Sequence, residues 1–273
     1  MKVYTLFVLV FLCCMQQAFP QTGLYDSNTK QPIAYANIIV KIRKYGTSTN
    51  EQGMFPEKGI KVSDTLTISA LGYASKNVIY SPSTDSVFLN PAVIQLREVV
   101  IANRKGQKIK DGFLKGKSPI YENITAFESG KFFPPKAVYA DYPYLDGFSV
   151  ATYNSVKGQY FNVSIRAVDK NGQPGDYLYN KNLVCEVKKG KHVLHVDLEG
   201  HNIRLPEDGF YLLFERVFIG KVEKWSPPNI ALYPNPEKGA PSYLCGINED
   251  GTAFEWDKTV PHYTMAIELE LSN

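Results

Sequence analysis

Apolar and polar residues alternate along this chain in short runs, with turn residues between them. The clearest run, Thr65-Leu66-Thr67-Ile68-Ser69-Ala70, has the two-residue period of a half-buried strand. Ile38 to Ile42 reads as a strand entered through Pro32–Asn37; Met54-Phe55 and Val93 to Ile101 read as two more. Turn chemistry falls at Asp26–Thr29 and Thr47–Gly53, and Gly72 supplies a bend before Tyr73. No stretch here has a helical period. The rhythm returns at Phe148–Tyr153, Tyr160–Val168, Val184–Val187, His192–Leu198 and Phe210–Val217. The pattern predicts an all-β chain of two sandwiches, the second antiparallel and jelly-roll-like.

Two segments break the rhythm. In residues 1–21, Lys2 precedes the apolar run Val3 to Met15, and Ala18 offers a small residue for cleavage. That is the layout of a signal peptide, too short to hold a stable bilayer span. Bulky Phe11 and Leu12 before Cys13 and Cys14 argue against a lipid anchor. Residues 102–119 carry six basic residues against the single acid Asp111. They read as a solvated basic linker, the sharper alternative being contact with anionic headgroups or polysaccharide. The expected domains are therefore 22–101 and 120–273. No other run approaches ~18 apolar residues, so the mature chain is expected to have no integral membrane segment.

Composition changes this picture little. The net charge of +3 loses only Lys2 with the signal, which gives no argument for a nucleic-acid partner. Eighteen Tyr and 15 Phe beside 20 Gly and 17 Pro suit strands joined by many turns.

The order PIAYANIIV, GTSTNEQGMF, DTLTISALGY and LREVVI resembles the carboxypeptidase-regulatory-like domain common in Bacteroidetes envelope proteins. The resemblance implies a transthyretin-like (prealbumin-like) β-sandwich over residues 22–101, an accessory module without its own activity. Tyr35 and Tyr73 are then structural. The stretches VSIRAVDKNGQPGDYLYNKNLVCEV and HVDLEGHNIRLPEDGFYLLFERV are similar to the sandwich that follows this module in short proteins of that group.

Candidate chemistry is sparse. A zinc site needs imidazoles and a carboxylate converging on one metal. His192, His195, Asp197, Glu199 and His201 form the densest cluster, but strand alternation sends His192 and His195 to opposite faces. A solvated polar stripe is the commoner arrangement, so no metal or other cofactor is expected. No G-x-S-x-G elbow occurs, and Ser226 has no adjacent base. Asp141, Glu199, Glu215 and Asp257 read as surface acids, and no catalytic residue is assigned. Asn123 and Asn162 head glycosylation sequons, the latter within a strand. Cys185 and Cys245 remain after signal cleavage, either as a disulfide or as two buried thiols. Trp225, Tyr233 and Trp256 could stack on sugar rings, as could Tyr139, Tyr142 and Tyr144; packing is the competing role. The expected function is a non-enzymatic exported envelope protein, periplasmic or at the cell surface, that binds an envelope protein or a glycan. The alternatives are carbohydrate binding by the second sandwich, and a hydrolase whose acids spacing cannot locate.

Overall fold

The computed structural model describes residues 21–40, 42, 45–92, 106–124, 128–219, 228–234, 242–245, 256–260 and 263–273. The strand expected at 93–101, the signal segment before Gln21, Trp225 and Ser226 lie outside the described residues, as do the side chains of Cys245, Trp256 and Asp257. Among those described, the chain is nearly all strand, with one five-residue helix. No described helix is long and apolar enough to cross a membrane.

The first module contains β1 (Gln21–Asp26), β2 (Asn37–Val40), β3 (Tyr45–Ser48), β4 (Met54–Pro56), β5 (Thr65–Ser69), β6 (Lys76–Ile79) and β7 (Ser86–Leu89). They form a sheet ordered β4-β1-β7, in which β1 and β7 run parallel, and an antiparallel sheet ordered β3-β2-β5-β6. The period-two pattern sets what is buried: in β5, Leu66 and Ile68 enter the core while Thr65 faces solvent. Leu24, Ile38, Phe55, Val87 and Leu89 complete that core. The predicted turns form as their residue types require. Asp26 Oδ1 accepts from the amides of Asn28 (2.7 Å) and Thr29 (2.8 Å), and Asn50 Oδ1 accepts from those of Gln52 (3.0 Å) and Met54 (2.9 Å). Gly53 closes the second turn at φ +71°, where an added Cβ would lie 2.8 Å from the Leu24 carbonyl oxygen. Tyr35 and Tyr73 take structural positions: their hydroxyls donate to Glu51 (3.1 Å) and Asp26 (3.0 Å).

The second module holds β8 (Lys108–Gly112), β9 (Ile120–Asn123), β10 (Ser129–Phe133), α1 (Ala137–Asp141), β11 (Tyr144–Asn154), β12 (Gln159–Val168), β13 (Pro174–Tyr177) and β14 (Leu183–Val187). It continues with β15 (Gly190–Asp197), β16 (Ile203–Arg204), β17 (Phe210–Val217), β18 (Asn229–Pro234), β19 (Ser242–Cys245), β20 (Trp256–Val260), β21 (Tyr263–Met265) and β22 (Ile267–Ser272). One antiparallel sheet runs β13-β12-β17-β10-β19-β20, with β14 also on β12. The other runs β21-β18-β11-β22-β8, with β15 and β16 on β11 and β9 on β18. The chain crosses between the sheets repeatedly: from β9 to β10, β10 to β11, β11 to β12, β14 to β15, β16 to β17, β17 to β18, β18 to β19 and β20 to β21. Phe148, Phe161, Phe210, Leu212, Phe214, Ile267 and Leu269 fill the space between them, and Phe214 meets Phe148 and Phe161 edge-on.

The basic linker expected at 102–119 is corrected in part, because Lys108–Gly112 is a sheet strand paired with β22. The ladder to β22 and the packing of Ile109 on the core recruit it, and ion pairs flank the pairing. Lys110 meets Glu268 at 2.9 Å and Glu270 at 3.1 Å, and Lys108 meets Glu199 at 2.9 Å. The strand's exposure alternates along Lys108–Gly112, but its partner strand and these acids arrive from far along the chain.

Strand β17 is buried on both faces. Phe210, Leu212, Phe214 and Arg216 share the core-facing row, and the fully buried Arg216 donates from Nη2 to Gln159 Oε1 at 2.6 Å. Its guanidinium also lies 4.5 Å from the Phe218 ring centroid. The opposite face, which carries Glu215, looks toward the first module. There Ser48 Oγ accepts from the Phe218 amide (3.0 Å), Ile39 packs on Phe218, and Asn182 Nδ2 donates to the Ala34 carbonyl (3.4 Å). Glu215, expected at the surface, is instead half-buried on the face that meets the first module. Its carboxyl pKa is pushed up to about 8 by desolvation and then by Glu128, while Asn37 and Arg166 act the other way.

Candidate functional site

A concavity of about 1240 Å³ lies at one end of the second sandwich. Three segments of chain build it. Pro135 to Tyr144 carries α1 across the sheet end, residues 176–181 join β13 to β14, and residues 200–208 run from the β15 turn into β17. Backbone pairing fixes their spacing. The Leu205 amide donates to the Pro143 carbonyl at 2.7 Å, and the β11–β16 register sets Arg204 opposite Tyr144. Gly200, at φ +84°, makes the turn that brings His201 round.

Aromatic side chains stand among polar groups here. The Tyr179 and His201 rings lie 5.1 Å apart at 52°. Tyr177 is half-buried, its ring 4.5 Å from the Arg166 guanidinium carbon. Burial raises the hydroxyl pKa of both Tyr177 and Tyr179; Arg166 partly offsets the effect at Tyr177. Around them stand Asp176, Glu207 and Asp208 against Lys136, Lys181 and Arg204, so the wall is balanced in charge. Such a surface can cover the apolar face of a ring while carboxylates, amides and guanidinium engage its hydroxyls.

The expected site residues scatter. Tyr139 and Tyr144 do line this groove, although both are buried, and the Tyr139 hydroxyl donates to Asp111 at 2.8 Å. Tyr233 lies in a different pocket, where the backbone of Gly116 packs so closely that a Cβ there would stand 2.6 Å from Tyr233 Cδ1. That face of the ring is covered. Neither Trp225 nor the Trp256 side chain falls among the described residues.

Of the two alternatives for Cys185 and Cys245, a disulfide or unpaired thiols, Cys185 takes the second: it is a free thiol, its pKa pushed up to about 11 by burial. Strand order explains the separation. Cys185 is on β14 and Cys245 on β19, with β12, β17 and β10 between them. Four strand spacings of about 4.8 Å, roughly 19 Å in all, far exceed disulfide reach.

The histidine cluster is drawn into other contacts. His195 Nδ1 lies 3.2 Å from Ser149 Oγ, Glu199 pairs with Lys108, and the Asp197 carboxylate accepts from the Glu199 amide. His192 Nε2 lies 2.9 Å from the Lys189 carbonyl, and His201 is in the groove. Among the described residues no group of three or more such side chains could hold a metal ion. Asn162 is buried, donating to Asn182 Oδ1 and accepting from the Leu183 amide, which leaves no room for a glycan on it.

Sequence reasoning missed Tyr177, Tyr179, Arg204 and His201 as one site. The signal available was Asp176-Tyr177-Leu178-Tyr179, two tyrosines at a two-residue interval just beyond the Asp169–Gly175 turn. That spacing marks one face of a strand exit, but not what lies opposite.

Residues 22–101 match the CarboxypepD_reg-like domain family. Among curated proteins, none matches the chain. Particles of infectious bursal disease virus supply distant structural matches. The T=1 particle is 8% identical, covering 91% of this chain and 60% of that one, with a TM-score of 0.25. The T13 particle is 10% identical, covering 87% and 57%, with a TM-score of 0.23. The chain thus spans about 60% of the first structure's length. Likeness at this level carries no argument.

Proposed function

We propose that this chain, with its CarboxypepD_reg-like domain at residues 22–101, is an exported, non-enzymatic glycan-binding protein of the bacterial envelope. One observation carries the reading: the groove of about 1240 Å³ that brings Tyr177, Tyr179 and His201 beside Asp176, Arg204 and Glu207. It exceeds the ~300–1,000 Å³ of a typical small-ligand pocket and so has room for several linked rings. The signal-like segment at 1–21 supports export, and the first module serves as an accessory support for the second.

A glycan array probed with the chain from residue 22 tests this. Substituting Tyr179→Ala is expected to weaken binding about 10-fold or more, the scale of a buried aromatic contact. Parallel Trp225→Ala and Trp256→Ala variants ask whether the C-terminal loops contribute. Binding that survives Tyr179→Ala undiminished would remove the groove from the function.

A further inference from the structure

Beside the groove lies a pocket of different character, about 510 Å³ in volume, and Lys136 lines both cavities. Among the described residues, its charged lining is Lys115, Lys117, Lys131 and Lys136 against the carboxylate of Asp111. That carboxylate is already engaged. Lys136 Nζ donates to both of its oxygens, at 2.9 and 2.8 Å, and the Tyr139 hydroxyl donates at 2.8 Å. Lys115 and Lys117 are exposed at the rim.

Lys131 differs from a surface lysine. It is only 7% exposed, and its ammonium lies 4.9 Å from the Phe133 ring centroid and 5.3 Å from that of Phe113. Two aromatic faces thus stabilise a cation where water is scarce. A second observation is independent of charge. Thr264 lines the same pocket, is 2% exposed, and its hydroxyl has no hydrogen-bond partner among the described residues. A buried hydroxyl left unpaired is costly and calls for an acceptor. The pocket wall is also firmly packed, with Gly116 against the Tyr233 ring and Phe113 edge-on to it at 6.1 Å.

We propose that this pocket receives an anionic substituent, a carboxylate or sulfate ester, of the glycan held in the adjoining groove. The ligand is then an acidic polysaccharide, an inference that rests on the glycan reading of the groove. The balanced groove does not select for charge. The pocket does, through the exposed Lys115 and Lys117 ammoniums and the Thr264 hydroxyl as donors.

A matched pair of probes isolates the charge: polygalacturonate and the same polymer methyl-esterified, alongside uronate-containing, sulfated and neutral glycans on one array. Binding is expected only to acidic members and should weaken as salt rises. The Lys115→Ala/Lys117→Ala variant, altered only at exposed positions, should lose affinity about 10-fold or more. Thr264→Val removes the hydroxyl while keeping the shape, and should weaken binding without lowering the unfolding midpoint. Neutral glycans bound as tightly as acidic ones, or lysine substitutions without effect, overturn the proposal. Loss of binding in Tyr179→Ala with the lysine variant intact would leave the groove standing without its acidic pocket. The reverse pattern would remove the groove reading and leave an isolated anion site. No binding to any glycan overturns both. Sedimentation with phosphatidylglycerol vesicles that needs the same lysines, in place of glycan binding, would assign the pocket to a lipid surface and refute the glycan.

Discussion

Glu215 should make this protein less stable as pH rises from about 5 to 8. Its carboxyl sits on β17 opposite Asn162 of β12, on the sheet face that meets the first module. Burial is the main cause of its raised pKa, and the charge of Glu128 adds to it. Glu128 itself is held by Arg166 at 2.7 Å and accepts from the Ser164 hydroxyl at 3.0 Å. Asn37 Nδ2 has no hydrogen bond of good geometry, so its opposing influence on Glu215 is limited. The direction follows from linkage: a folded pKa of about 8 against 4.5 means that folding favours the protonated carboxyl. That stabilisation is complete below about pH 4.5 and is lost as pH passes through 8. At about 1.4 kcal/mol per pH unit, the ceiling is about 5 kcal/mol.

Replacing Glu215→Gln keeps the shape and abolishes the titration. Urea unfolding at half-unit steps from pH 5 to 8 provides the assay. Wild type should lose stability steadily across this range, while Glu215→Gln should be flatter and the more stable of the two at pH 8. The histidines titrate in both proteins, so the difference between the curves isolates Glu215. Parallel curves would refute the placement of a desolvated carboxyl at this interface.

Two further outcomes follow from groups inside the second sandwich. Gln159→Leu removes the acceptor that holds the buried Arg216 guanidinium at 2.6 Å, and should destabilise by about 1–3 kcal/mol. Chemical denaturation of the variant checks this, and an unchanged midpoint would deny that the contact matters. Cys185 should resist alkylation, because moving its pKa from 9.0 to about 11 cuts the thiolate about 100-fold. Iodoacetamide labelling with peptide mass spectrometry, with and without urea, reads that protection, and a Cys185–Cys245 peptide under non-reducing conditions would contradict the strand order.

The sequence by itself determined what short-range chemistry controls. Alternation in Thr65–Ser69 fixed which side chains of β5 enter the core, and the Asp26 and Asn50 side chains fixed their turns, because each depends on residues only a few positions away. Phe210–Val217 was legible as a strand for the same reason. Period-two patterning does not say which strand lies alongside, nor what covers the far face. Only the tertiary structure made Lys108–Gly112 a strand, by laying the backbone of β22 alongside it. It separated Cys185 from Cys245, half-buried Glu215 against another module, and gathered Tyr177, Tyr179, His201 and Arg204 from two segments into one groove. Strand neighbours are chosen by long-range complementarity of charge and packing, and that choice placed the candidate site where no local motif marks it.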